Sequence, residues 1–246
     1  MKSKYFVKFL NSSAHMDVDL EIIDIIQQSI KNNRLHSNGG EYIFDYVSPN
    51  KHKKLIARRN TNHSRNLACN HLKTTIRTAY IKNLYESTAI YFQDILKSAT
   101  KKGLNIEQLI GEHNISFTSK NLLGYGNYEK VIEKISLGIF RQLENEKSTK
   151  HLIEKMDKKL GLGIDKDIID EALPFFELRH LLVHNKGMAD EDFCSKYPQI
   201  RAEENKVVKI TYQLIEDARQ KVNKLVKEFD KKIIEKNLIN EDEQQP

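Results

Sequence analysis

Between Leu178 and Gly187 the chain reads Leu-Arg-His-Leu-Leu-Val-His-Asn-Lys-Gly, which sets Arg179, His180, His184 and Asn185 close together. Histidine titrates near neutral pH and can take or give a proton there. The planar guanidinium fork of arginine matches a phosphate and stabilises negative charge that develops on it. Glu177, His180 and His184 also have spacings that suit metal ligation on one helix face. A di-iron bundle, however, repeats its Glu-x-x-His element on a second helix, and this sequence holds no second copy. Ligands elsewhere are too few to build a zinc site, so neither metal nor cofactor is expected. No Gly-rich phosphate loop is present: Gly124-Tyr125-Gly126-Asn127 lacks the Lys-Ser/Thr ending.

An arginine followed at short range by a histidine is a weak signal, since chance alone yields about one such pairing in a chain of this composition. Arg58 with His63, and Arg65 with His71 (Asn66 in second position), are the competing pairs. They fall where a solvated basic helix begins. Arg179 and His184 instead sit in an apolar helix just before a glycine stop, which favours the third pair.

The helix that must carry them runs from about Asp167 to Lys186. At 100° per residue it shows two apolar stripes, one of Ile169, Ala172, Leu173, Phe176 and Val183, the other of Ile168, Phe175, Leu178 and Leu182. A single bundle core needs one stripe, so the second predicts burial against a further surface, with a second copy of the helix in a two-fold dimer as the economical choice. Pro174 predicts either a kink or a fresh helical start. On the same projection Arg179 and His184 lie about 140° apart. His180 falls on the first stripe, where a hydrogen-bonded core role competes with a chemical one.

Around this segment the pattern predicts an all-α protein, an antiparallel bundle with one very long helix. That helix is expected to start at an N-cap Ser64, to run through Leu72, Ile76, Tyr80, Leu84, Tyr91 and Ile95, and to stop at Gly103. Further helices are read at about Ile106–Glu112, Tyr128–Glu146 and Thr149–Leu160, and a last one is capped by Thr211. Asp17–Asn33 reads as helix through Val18, Ile22, Ile25, Ile26 and Ile30. Tyr5–Leu10 and Tyr42–Val47 stay open between strand and helix, and Lys206–Ile210 reads as a short extended piece. The resulting partition is an N-terminal extension or subdomain over 1–62, a helical domain over 63–240 and a disordered polar tail over 241–246.

The 246 residues are 39% hydrophobic and 30% charged, with only four Pro and ten Gly, a composition that supports a helical core and excludes a turn-rich all-β fold. Cys69 and Cys194 form no short-spaced pair and no secretory signal is visible, which points to a reducing, cytoplasmic setting. No apolar run approaches membrane-spanning length, so no membrane partner is expected. The net charge of +6 is local: from Tyr46 to Tyr85 there is no acid, while Lys51, Lys53, Lys54, Arg58, Arg59, Arg65, Lys73, Arg77 and Lys82 contribute nine cations. Such a stretch fits polyanion contact, each neutralised phosphate adding salt-sensitive affinity. Tyr80, Tyr85 and Tyr91 are read as packed core.

With these residues in place, the run Arg179, His180, a short spacer and His184 resembles the signature of the HEPN superfamily of helical nucleotide-binding domains. The Asn185-x-Gly187 step, the acidic Asp190-Glu191-Asp192 and the closing amphipathic helix resemble members of it too. The resemblance covers about 64–239, strongly at the signature. It implies metal-independent RNA cleavage in which the 2′-hydroxyl is the nucleophile, His184 the base and Arg179 the phosphate-gripping cation, with His180 or Asn185 orienting them. It further implies a homodimer with a composite site, in a prokaryotic toxin or antiphage role, with an antitoxin or regulatory partner. The alternative within the same resemblance is a non-catalytic RNA-binding or dimerisation module. Members silenced by nucleotidyl transfer carry a Tyr two positions after the histidine; Lys186 stands there, so that control is not implied.

Overall fold

A computed structural model describes residues 1–32, 34, 41–44, 48, 50–54, 58–113, 115–145 and 148–246. The chain forms two compact units, one of Met1–Ser13 with Ile81–Pro246, the other of Ala14–Tyr80. These boundaries fall elsewhere than 62/63. Among the described residues the elements are β1 (Lys2–Ser3), α1 (Lys4–Lys31), α2 (Asn62–Lys102), α3 (Ile106–Ile110), α4 (Ser119–Tyr125), α5 (Tyr128–Glu144), α6 (Thr149–Leu160), α7 (Lys166–His184), α8 (Glu191–Lys196), α9 (Tyr212–Glu235), a 3-10 turn at Glu241–Glu243 and β2 (Gln244–Gln245). The protein is all-α, as its sequence predicts, and α2 with its 41 residues is the very long helix, about 61 Å at the usual rise.

Short polar side chains start most of these helices. Asn127, Ser148, Asp165, Asp190 and Thr211 each accept a hydrogen bond from a backbone N–H of the first turn, relieving donors that have no partner inside the helix. The N-cap of α2 is not Ser64. Thr61 does that work, its hydroxyl accepting the Ser64 N–H at 3.1 Å. Two short helices, α4 and α8, carry no periodic signal in the sequence. In α4, between Thr118 and the left-handed Gly126, no residue is buried and there is no stripe to find; α8 is one turn and a half set up by Asp190.

In the larger unit α7 packs against α9 and α6, and α6 against α5 and α3. The apolar face of α9, from Ile215 through Val222 and Phe229 to Ile233, is buried along its length. Phe92 of α2 meets Phe229 with ring centroids 4.8 Å apart, and Tyr85 of α2 stands edge-on to Phe176 of α7. Surrounded in this way, α7 buries residues of both its stripes: Ile169, Ala172, Leu173 and Phe176, but also Phe175 and Leu178. Of the second stripe, Phe175 and Leu178 are thus buried within this chain, while Ile168 and Leu182 are only partly buried. Val183, 43% exposed, is the exception on the first stripe. Pro174 is accommodated inside one continuous helix.

The last residues form a clasp where a disordered tail was expected. β2 pairs antiparallel with β1. The Glu243 carboxylate accepts from Tyr5 and Ser98 and pairs with Lys4 at 3.1 Å. Asp230, 2% exposed, accepts from the Ser3 N–H at 3.0 Å, the Ser3 hydroxyl and Tyr91. Ser3 Oγ in turn accepts the Phe6 N–H, which caps α1 and settles Tyr5–Leu10 as helix.

In the smaller unit Ile30, Ile43 and Cys69 make a core with Phe44 and Leu72 against it. An isolated antiparallel bridge joins Tyr42 to Arg59; the rest of the open segment, from Asp45 to Val47, lies outside the described residues, as does Glu146 at the predicted end of α5. Along α1, Val18, Ile22 and Ile25 are exposed at 51%, 48% and 64%, so of that stripe only Ile30 is core. Before α9, Val207 forms a single bridge with Met188, the extended piece read from the sequence.

Candidate active site

The last turns of α7 bring Arg179, His180 and His184 to one cavity of about 260 Å³, walled also by Tyr85, Glu144, Ser148, Thr149 and Glu177. The two imidazoles, one helical turn apart, are exposed and lie 4.6 Å apart between ring centroids, tilted by 42°. His180 is thus a surface residue and not the core histidine its place on the apolar stripe allowed. The guanidinium carbon of Arg179 sits 4.4 Å from the centroid of Tyr85, a cation–π contact typically contributing about 0.5–2 kcal/mol.

Arg179 makes no ion pair among the described residues, and its buried Nε has no hydrogen-bond partner there. The ring of Tyr85 is what holds it, and Phe176 holds the ring, edge-on at 5.8 Å. Burial pushes the Tyr85 phenol up, with Arg179 opposing. Glu144 is likewise raised by burial against the pull of Arg141 and Arg179. Reading Tyr85 as packed core captured half of its role, since one face supports the guanidinium. Contributions from Glu144, Ser148 and Thr149 left no sequence signal, because only folding brings α5, α6 and α7 together.

Glu177 is half-buried between this cavity and a larger one of about 760 Å³. Burial raises its pKa, opposed by His180, Lys196 and a hydrogen bond from the Thr149 backbone.

Asn185 is placed differently from the expectation that it orients catalytic groups. Its Nδ2 donates to the Met188 carbonyl at 2.8 Å, and its own N–H bonds Leu181 O at 2.9 Å. It shapes the turn that ends α7, in which Lys186 has φ 53° and Gly187 φ 78°. A Cβ on Gly187 would come within 3.2 Å of Leu182 Cδ2, so glycine serves both the left-handed backbone and the close approach. Asn185 does not line the cavity.

The competing pairs lie in the smaller unit. Arg65 is bonded by the side chains of Asn60 and Asn62 at the start of α2, and His63 and His71 are exposed. In the basic stretch Lys51, Lys53, Lys54 and Arg59 are exposed, while Arg58, Arg65, Lys73 and Arg77 are partly buried. Burial depresses the Arg77 pKa, with Asp24 opposing it. Lys73 is depressed by burial and by the like charges of Arg77 and Lys31. The stretch is therefore a partly packed cluster on α2 beside a solvated run.

Among the described residues no three His, Cys, Asp or Glu side chains gather as a metal-holding group, and no helix is long and apolar enough to cross a membrane. Comparison with protein-family models, curated proteins and solved structures returns no match.

Proposed function

We propose that the chain is a metal-independent endoribonuclease. The observation that carries this reading is the convergence of Arg179, His180 and His184 on one open cavity of about 260 Å³, with the guanidinium free of any ion pair among the described residues. RNA brings its own nucleophile, so the protein need only supply a base, a cation and alignment. His184 removes the 2′-hydroxyl proton, and the 2′-oxygen attacks the adjacent phosphorus. The bond to the 5′-oxygen breaks, leaving a 2′,3′-cyclic phosphate and, once that oxygen is protonated, a 5′-hydroxyl. Arg179, steadied on Tyr85, stabilises charge on the non-bridging oxygens. His180 flanks the His184 ring and orients it. The homodimer with a composite site implied by the HEPN-like signature belongs to the same proposal, each chain contributing the cavity lined by Arg179, His180 and His184.

The setting proposed with it is a prokaryotic toxin or antiphage nuclease, in the cytoplasm, held by an antitoxin or regulatory partner, with the basic stretch from Lys51 to Arg77 gripping RNA. The test is digestion of mixed-sequence RNA in EDTA. Wild type should release cyclic-phosphate ends, and Arg179→Ala and His184→Ala should lose about 10²-fold or more in rate, the usual worth of such a group. Intact RNA, or equal cutting by the variants, refutes the nuclease. Salt-sensitive RNA retention without products would leave an RNA-binding module.

A further inference from the structure

Beyond the small cleft, and sharing Ser148, Glu177 and His180 with it, lies the cavity of about 760 Å³, within the range that binds small organic ligands. Its charges do not suit a phosphate. Of its four carboxylates, Asp170 is paired with Lys150 at 2.8 Å and Asp192 with Lys196 at 2.7 Å. Asp190 accepts the Phe193 N–H at the start of α8. Both lysines are thus neutralised, and of the two carboxylates left without an ion pair among the described residues Asp190 is an exposed helix cap, whereas Glu177 is half-buried in the wall. One of its lone pairs takes the Thr149 N–H; a carboxylate has about four acceptor sites. The rest of the wall mixes polar Ser148, His180 and Gln199 with apolar Leu173, Leu181 and the Phe193–Tyr197 ring pair, 5.3 Å between centroids.

The two cavities therefore divide the chemistry of a nucleotide. A cation and two imidazoles lie on one side, with a net-acidic chamber that carries an aromatic pair on the other. We propose that the larger cavity is a base subsite, seating the nucleobase next to the phosphate held by Arg179, and that Glu177 selects guanine. This rests on the ribonuclease reading for the role of Arg179. Guanine is the base whose Watson–Crick edge puts two donors, N1–H and the exocyclic amine, side by side to meet two carboxylate oxygens. Adenine and cytosine present one donor beside a ring-nitrogen acceptor, and uracil one donor between two carbonyls, so each turns an acceptor toward the carboxylate. A half-buried carboxylate short of donors gains most from the doubly donating edge.

Calorimetric titration of the full chain with guanosine 3′-monophosphate and adenosine 3′-monophosphate tests this. Guanosine should bind about tenfold tighter, the low end for a bidentate base contact. Glu177→Gln should abolish that advantage while leaving the adenosine affinity unchanged, which also reports that the variant is folded. Equal affinities, no binding of either nucleotide, or an advantage that survives in Glu177→Gln overturns the subsite. Mapping cuts in a mixed-sequence RNA separates it from the nuclease reading. Cleavage without preference for guanine sinks the subsite alone, whereas guanine-selective binding without cleavage sustains the subsite and sinks the nuclease.

Discussion

Replacing Tyr85 separates the two things its ring does. The face toward Arg179 holds a guanidinium whose carbon is 4.4 Å from the ring centroid and which has no ion pair among the described residues. The edge packs on Phe176 at 5.8 Å. Tyr85→Leu removes the π face, and with it about 0.5–2 kcal/mol of restraint on the guanidinium. If the stack holds Arg179 where the transition state needs it, that loss appears as a fall of about 2- to 30-fold in kcat, at 1.36 kcal/mol per tenfold. Tyr85→Phe keeps the face and the edge and should stay within about twofold of wild type. Leucine also forfeits the aromatic pair with Phe176, worth about 0.5–1.5 kcal/mol in stability, so melting temperature must be read beside rate. The assay is single-turnover cleavage of a short fluorogenic RNA in EDTA, at saturating protein. The reasoning is refuted if leucine cuts as fast as wild type, or if phenylalanine falls as far as leucine does, since the hydroxyl would then be the operative group.

Three further outcomes follow from the geometry. Asn185→Ala removes the side-chain bond to Met188 O and should cost about 1 kcal/mol of stability, as for a missing cap, while cleavage at a temperature well below melting stays near wild type; a hundredfold loss there would restore Asn185 to the chemistry. Glu243, held at about 2 because its bonds from Ser98, Tyr5 and Lys4 outweigh burial, contributes about 3 kcal/mol at neutral pH, present above its ordinary 4.5 and lost as pH falls toward 2. Urea denaturation against pH should show that decline in wild type and a flatter limb in Glu243→Gln; Asp230, raised by burial, has the opposite sign and remains in both. Neutralising the exposed Lys51, Lys53, Lys54 and Arg59 should weaken RNA retention and reduce the salt slope by up to about one for each phosphate no longer neutralised, and an unchanged slope would clear the stretch of that role.

Much of the fold was readable because helix starts are written locally. Thr211 shows itself as a cap before an amphipathic run, and α9 begins one residue later. Gly103 at φ 105° ends α2 where expected. The failures were of long range. Ser3 caps α1 only because Asp230, 227 residues away, anchors its backbone and hydroxyl. The polar end Glu241 to Gln245 resembles a disordered tail until Glu243 finds Tyr5, Ser98 and Lys4. Composition is blind to such partners. The second stripe of α7 illustrates a further limit. Periodicity shows that a face is apolar but not what covers it: Phe175 and Leu178 are buried within this chain, whereas Ile168 and Leu182 are only partly buried.

The helical projection also leaves open how the site itself is assembled. An angle of about 140° between Arg179 and His184 describes where their Cβ atoms leave the helix, and it made two chains look necessary for one phosphate. Side chains end elsewhere. Phe176, near 60° on the same projection, lies between them and is buried, and with Tyr85 edge-on it forms an aromatic step beside the cavity. The Arg179 guanidinium comes to rest over the Tyr85 ring, 4.4 Å from its centroid, and the His184 and His180 rings lie 4.6 Å apart, tilted by 42°. A short or β-branched residue at 179 could not make that reach, and a lysine would lack the flat surface that lies on a ring. Phe176, part of the core face of α7, thus supports through Tyr85 the seat of the Arg179 guanidinium. In the proposed nuclease Tyr85 and Phe176 therefore matter to the placement of Arg179 as much as its own charge does.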